Sequence, residues 1–160
     1  MPLQPGYDCL GEGGNPKKAA EMEPETNNKG KALVVDDDPE VRVFLRYALE
    51  VLGYDSDEAE DGRHAVKLLA ASNAEYDVIV TDVEMPWLGG AALYEACRQT
   101  RPELCDHFVF VTGGGHLIGE GGFLSQTGQP YLLKPFSVKR LHEAVLRVVK
   151  RDADVATCCA

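Results

Sequence analysis

Five polar side chains stand directly after short apolar runs, at positions where strands of a sheet would end. They comprise an acidic pair, a third aspartate, a threonine and a lysine: Asp36, Asp37, Asp82, Thr112 and Lys134. In an open parallel sheet, ligands bind in the crevice beyond the carboxyl ends of the strands. If the runs form neighbouring strands, these side chains converge on one edge. Acids combined there with a hydroxyl and an ammonium group suit phosphoryl transfer.

The three carboxylates of this set repel one another. At an effective dielectric constant near 20 and a separation of about 4 Å, each pair costs on the order of 4 kcal/mol. The carboxylates stay ionised together only if a cation offsets their charge. Because Mg²⁺ prefers a small number of carboxylate oxygens and keeps several waters, the sequence predicts a magnesium site. Thr112 and Lys134 are then placed to hold the oxygens of a phosphoryl group.

The elements that must position these residues follow an α/β pattern from Lys31 onward. Short apolar runs alternate with amphipathic stretches, which is typical of repeated βα units around a parallel sheet. In the first unit, Asp38 is the predicted helix N-cap and Pro39 falls in the first helical turn. The predicted strands are residues 32–35, 54–59, 77–81, 108–111 and 130–133. We therefore predict a doubly wound, five-stranded parallel sheet with helices on both faces.

The segment Gly113–Gly122 is the weakest part of this pattern, because it contains six glycines in ten residues. Glycine is unfavourable in a helix interior by about 1 kcal/mol relative to alanine. A helix over about Leu117–Gln126 is therefore predicted to start late and to be soft.

Four motifs together resemble the receiver domain of the response-regulator family of two-component signalling. In chain order they are Leu33-Val-Val-Asp-Asp37, Val80-Thr-Asp-Val-Glu-Met-Pro86, Phe110-Val-Thr-Gly113 and Leu133-Lys-Pro-Phe136. The resemblance extends over about Lys31–Arg151 and implies the flavodoxin-like strand order 2-1-3-4-5. It also implies a phosphoprotein that catalyses only its own Mg²⁺-dependent phosphorylation and dephosphorylation.

The same resemblance assigns roles to individual residues. Asp82 would accept the phosphoryl group from a phosphohistidine of a histidine kinase or a histidine phosphotransfer protein. Mg²⁺ would be bound by Asp36, Asp37, Asp82 and the backbone carbonyl of Glu84. The Glu84 side chain would add a fourth carboxyl group near the pocket.

Two further residues, Thr112 and Lys134, would hold the phosphoryl oxygens in this family. Tyr131, three residues before Lys134, falls at the position of the family's switch aromatic. Movement of Thr112 toward the phosphoryl group would free space for Tyr131. The surface of the fourth helix, fifth strand and fifth helix would then change for an unidentified downstream protein.

The amino-acid composition limits the classes of binding partner and the cellular compartment that we expect for this protein. The formal net charge of −10 argues against binding nucleic acid or anionic lipid through phosphate contacts. No run approaches the roughly 18 apolar residues of a membrane helix. Five cysteines without CxxC spacing favour a reducing cytoplasm over a disulfide scaffold or a zinc site.

The predicted organisation is a flexible leader at 1–30, a receiver domain at 31–151 and a short tail at 152–160. On these bounds we expect the flanks to be too short for a separate output domain. The sequence therefore favours a stand-alone regulator, or a relative of the receiver in a hybrid histidine kinase.

Two other functions compete with this interpretation. A phosphatase of the haloacid-dehalogenase type also uses a strand-end aspartate, a threonine and a lysine. It is disfavoured because the acid two residues after Asp82 is Glu84 rather than an aspartate, and because the acidic pair precedes the nucleophile instead of following it. The other is a scaffold that keeps the fold but does not switch, against which the intact Asp82, Thr112 and Lys134 argue.

Overall fold

The computed structural model describes residues 29–71, 75–119 and 121–158. The leader predicted at 1–30 lies almost entirely outside the described residues. Over the rest, five strands alternate with five α-helices, as predicted. The strands are β1 Gly30–Val35, β2 Tyr54–Ala59, β3 Val78–Asp82, β4 Phe108–Thr112 and β5 Tyr131–Leu133. The helices are α1 Pro39–Val51, α2 Gly62–Ala70, α3 Gly90–Thr100, α4 Phe123–Thr127 and α5 Val138–Cys158.

The sheet is parallel, with the strand order β2-β1-β3-β4-β5. The predicted α/β fold and its strand order are therefore confirmed. The three central strands β1, β3 and β4 read as nearly continuous apolar runs, as expected where helices cover both faces. Every residue of β3 and β4 is buried.

Two apolar clusters, one on each face of the sheet, form the core. On one face, α1 and α5 pack against the sheet through residues such as Leu45, Leu49, Leu141 and Val145. On the other face, α2, α3 and α4 do so through residues such as Leu69, Leu93 and Leu124. This layering leaves the carboxyl ends of the central strands accessible at one edge.

Short-range signals set the starts of the first two helices. The side chain of Asp38 caps α1 by accepting a hydrogen bond from the Glu40 N–H, and Pro39 occupies the first turn. Asp61 caps α2 by accepting from the His64 N–H. The predicted Asp38 cap and Pro39 position are thus confirmed.

The fourth helix is shorter than the predicted Leu117–Gln126. Residues Gly115–Leu117 form a 3₁₀ turn, and α4 begins only at Phe123. The reason is the glycine spacing: Gly121 has φ +82°, which is outside the helical region. The start is late, as predicted, but the helix has only five residues.

Helix α5 continues through the segment predicted as a tail, as far as Cys158. The boundaries proposed for the leader, the domain and the tail stay predictions. Among the described residues, no helix combines the length and the apolar character that crossing a bilayer requires.

Candidate functional site

The polar residues predicted to converge follow neighbouring strands in the structure. Strand β1 pairs with β3, so that Val35 lies opposite Thr81, and β3 pairs with β4, so that Asp82 lies opposite Val111. Asp36 and Asp82 therefore sit side by side at the carboxyl edge of the sheet. Lys134 follows β5, the strand on the far side of β4.

Lys134 spans this edge and joins the ends of β1 and β3. Its Nζ donates to Asp36 Oδ2 at 3.0 Å and to Asp82 Oδ2 at 2.5 Å. The Lys134 backbone N–H donates to the carbonyl of Thr112 at 2.9 Å, which fixes the start of the side chain beside β4. Asp36, Asp82 and Lys134, which come from three distant stretches of sequence, are therefore in contact, as the sequence predicts.

Burial opposes the charges of both Asp36 and Lys134. Its side chain is fully buried, and burial raises the pKa of the carboxyl group. Hydrogen bonds from the Asp38 N–H, at 2.9 Å, and from Lys134 act in the opposite direction without cancelling the effect. Burial also opposes the charge of Lys134, but hydrogen bonds to Asp82 and Asp36 outweigh it and raise the pKa of the ammonium group.

The acidic residues fit a divalent cation. Asp36, Asp37 and Asp82 each offer a carboxylate oxygen, and these oxygens lie within 4.8 Å of one another. Asp37 is exposed, whereas the other two are buried, so the cluster opens to solvent on one side. An all-oxygen set of this size, open to water, matches the preference of Mg²⁺.

Asp82 is held rigidly from two directions. Its Oδ1 accepts a hydrogen bond of 2.8 Å from the Glu84 N–H, while Oδ2 accepts from Lys134. Gly90, the first residue of α3, lies directly against its backbone. A Cβ at position 90 would lie 2.3 Å from the Asp82 carbonyl oxygen. Only glycine allows this approach, so the start of α3 fixes the position of Asp82.

Thr112 is fully buried at the end of β4 and engages the loop that follows. Its hydroxyl accepts a hydrogen bond of 3.0 Å from the Gly114 N–H. Gly114 is also confined, because a Cβ there would lie 2.6 Å from the His116 ring and 2.8 Å from a Glu84 carboxylate oxygen. The Thr112 hydroxyl is thus held by its own loop.

Two further predicted residues lie at the margin of the site. Tyr131 is 40% exposed, and its role as a switch stays a prediction. The carboxylate of Glu84 pairs with His116 Nε2 at 3.5 Å. The role of the Glu84 carbonyl in metal binding also stays a prediction.

Sequence reasoning did not find two contacts around the site. The Arg42 guanidinium donates to the Asp36 carbonyl at 2.7 Å. Trp87, with φ +70° and 81% exposed, stands in the loop after β3, and the Arg63 guanidinium lies over its ring at 4.8 Å. The one available signal was the single tryptophan of the chain, five residues after Asp82.

Comparison with known proteins places this chain in a family. Residues 32–146 match the response regulator receiver domain. The match covers well over half of the chain, so the chain belongs to the family of response regulator receiver domains. The predicted resemblance is confirmed.

The curated relatives that match are longer proteins than this chain. The chain is 38% identical over 125 residues to the transcriptional regulatory protein ResD of Bacillus subtilis, covering 78% of this chain and 48% of ResD. It is 31% identical over 137 residues to the sensor kinase CckA of Brucella abortus, covering 84% of this chain and 14% of CckA. The chain thus spans about half, or less, of the curated relatives it matches.

Solved structures agree with these matches. The response regulator protein TrrA of Thermotoga maritima, in complex with Mg²⁺-BeF, has a TM-score of 0.62 and 29% identity, covering 74% of this chain and 97% of that one. The receiver domain of the Francisella response regulator 1452 has a TM-score of 0.64 and 31% identity, covering 77% and 98%.

Proposed function

We propose that this chain is a phosphoacceptor that takes a phosphoryl group onto Asp82 in a two-component phosphorelay. The observation that carries the proposal is the contact of Lys134 Nζ with both Asp82 and Asp36, beside the carboxylate oxygens of the acidic cluster. A relative with a bound Mg²⁺-BeF group supports the same site.

In this proposal a carboxylate oxygen of Asp82 attacks phosphorus of a phosphohistidine. The new O–P bond forms while the P–N bond to the imidazole breaks, and the donor histidine keeps the electron pair. Lys134 neutralises charge on the transferred group, while Gly90 and the Glu84 N–H keep Asp82 in position. Mg²⁺ bound by Asp36, Asp37 and Asp82 would offset the combined charge of carboxylates and phosphoryl oxygens.

Switching would begin at Thr112. Phosphorylation adds roughly −1.5 to −2 charges and three acceptor oxygens at the edge of the sheet. The Thr112 hydroxyl, which now donates to the Gly114 carbonyl at 3.5 Å, would donate to a phosphoryl oxygen instead and draw the loop inward. Tyr131 would follow into the space released, which changes the surface of α4, β5 and α5.

The test is phosphorylation by acetyl phosphate with Mg²⁺, followed by mass spectrometry and Phos-tag electrophoresis. Wild type should gain one phosphoryl group, and Asp82→Asn should gain none. Asp38→Asn is the matched control, because asparagine caps a helix as well as aspartate and Asp38 is outside the metal cluster. Equal labelling of Asp82→Asn would refute the assignment.

The same protein preparation also tests the two alternative functions, a phosphatase and a scaffold. Multiple-turnover release of phosphate from small phosphoesters would support a phosphatase instead. An amide NMR spectrum unchanged by beryllofluoride would support a scaffold without a switch.

The partners and compartment belong to the proposal as well. We expect a histidine kinase or a histidine phosphotransfer protein as donor, an unidentified protein as target, and action in the cytoplasm. The predicted lack of nucleic-acid binding rests on the charge alone, and ResD is by name a transcriptional regulator.

A further inference from the structure

The free edge of β5 carries the features of a binding groove. Strand β5 is the last strand of the sheet order, so one of its sides has no neighbouring strand in the described fold. An open groove of about 700 Å³ runs along it, between β5 and the exposed side of α5. The groove lies beside Tyr131, and its use as a docking site rests on the proposed switching function.

The direction of the backbone groups follows from the pairing with β4. Phe110 N–H donates to the Pro130 carbonyl at 3.0 Å, and Lys134 N–H donates to the Thr112 carbonyl at 2.9 Å. Successive residues of a strand point their backbone groups to opposite sides. The N–H and C=O groups of Tyr131 and Leu133 therefore point to the open edge.

The two walls of the groove differ in chemistry. Leu132 packs toward α5 in the core, so Tyr131 and Leu133 project on the opposite face of the sheet. They are 40% and 48% exposed, because α4 is only about 7.5 Å long at 1.5 Å per residue. This wall is apolar and uncharged, whereas exposed edge strands are commonly protected by charged side chains.

The other wall is basic. Arg140 and Arg147 lie seven residues apart on α5, on the same side of the helix, and both are exposed. Arg151 lines the same groove and donates to Gln129 Oε1 at 2.8 Å. With Glu143 as the one acid among the lining residues, the groove carries three positive charges against one negative. The chain as a whole has a net charge of −10, so the groove is opposite in sign.

We propose that the edge of β5 binds an extended segment of a partner protein in which acidic and apolar side chains alternate. Such a segment would add to the sheet as a sixth strand, hydrogen-bonded to the backbone of Tyr131 and Leu133. Side chains of a strand alternate between faces, so one set would meet Arg140 and Arg147 while the other covers the apolar wall.

The probe is a fluorescent synthetic peptide in which Glu and Val alternate, and its matched control carries Lys in place of Glu. Binding to the full chain is measured by fluorescence anisotropy at low and at physiological salt. We expect the acidic peptide to bind at least about tenfold more tightly than the basic one, and we expect salt to reduce this preference.

Two variants test the basic wall. The double variant Arg140→Glu, Arg147→Glu should weaken binding of the acidic peptide by at least about tenfold and strengthen binding of the basic peptide. Lys139→Glu is the control, because Lys139 is an exposed residue of α5 that does not line the groove. It should change binding by less than about twofold.

Hydrogen exchange tests the added strand. The amides of Tyr131 and Leu133 should become protected in the complex, while the Leu132 amide, already directed at β4, should change little. Equal binding of both peptides, no binding, or protection confined to other residues would overturn the proposal. A dimer in size-exclusion chromatography with this groove buried would also overturn it, by making a second copy the occupant.

Acetyl phosphate labelling of the same samples separates the two proposals. If labelling is normal and the peptide does not bind, the docking proposal fails while the phosphoacceptor proposal stands. If labelling is absent but the peptide binds at β5, the phosphoacceptor proposal fails instead.

Discussion

The loops that follow β3 and β4 differ in how tightly they are held. After β3, the chain turns against its own backbone: Gly90 touches the Asp82 carbonyl, and Glu84 donates to the Asp82 carboxylate. After β4, Gly113 and Gly115 have no neighbouring atom within 4 Å of where a Cβ would be. The residue proposed to accept the phosphoryl group is therefore fixed, whereas the segment proposed to respond has room to move on either side of Gly114, at Gly113 and Gly115.

The substitution with the largest expected effect on this contrast is Gly90→Ala. The added Cβ would meet the Asp82 carbonyl oxygen at 2.3 Å, so either α3 or Asp82 must shift. We expect a loss of about 3 kcal/mol in the free energy of unfolding, measured by urea denaturation, and weaker phosphoryl uptake. Stability within about 0.5 kcal/mol of wild type would show that the loop after β3 is not held in this way.

A second test removes the ammonium group that joins the strand ends. Lys134→Met leaves Asp36 and Asp82 without their shared hydrogen-bond donor, and we expect a loss of about 2 kcal/mol in EDTA. Mg²⁺ should restore part of the loss, since it supplies a countercharge. Lys139→Met is the matched control, and a loss equal to that of Lys134→Met would contradict the prediction.

A third test uses pH. Because burial raises the folded-state pKa of Asp36 above its ordinary value of 3.8, the folded chain binds more protons than the unfolded chain in that range. The contribution of Asp36 to stability is therefore complete below about pH 3.8 and is lost as the pH rises through its raised pKa. In EDTA, Asp36→Asn should lack this loss, so its stability relative to wild type should increase with pH. The measurement is urea unfolding at a series of pH values, and a constant difference would count against the prediction.

The smallest expected effect lies in the loop after β4. Gly115→Ala adds a methyl group in open space, and we expect it to stabilise the fold by about 0.5 kcal/mol through the unfolded state. Gly121→Ala is the matched comparison, because its φ of +82° strains any other residue, and it should destabilise. Thermal unfolding of the two variants should shift in opposite directions.

Local signals made the fold and the convergence of the site predictable. Strand length, helix caps and apolar spacing act within a few residues, and parallel strands necessarily bring their carboxyl ends to one edge. That is why Asp36, Asp82 and Lys134 could be grouped from distant stretches of sequence. The short α4 was anticipated only in part, since glycines indicate weakness but not where a helix begins.

Contacts that depend on the packed backbone could not be predicted. Nothing local in Gly90 reveals that it touches the Asp82 carbonyl, because that approach depends on where α3 leaves the sheet. The contact of Arg42 with the Asp36 carbonyl and that of Arg63 with Trp87 likewise join different elements. Such pairs follow from the tertiary arrangement and carry no repeating pattern in the sequence.

The stacking of Arg63 on Trp87 also gives the molecule an optical reporter. The chain has one tryptophan, so its indole emission comes from a single place, five residues beyond Asp82. Charge arriving at the acidic cluster should disturb the guanidinium above the ring and alter the emission intensity. We therefore expect a fluorescence titration with Mg²⁺ to follow ligand occupancy of the cluster without any label attached to the protein.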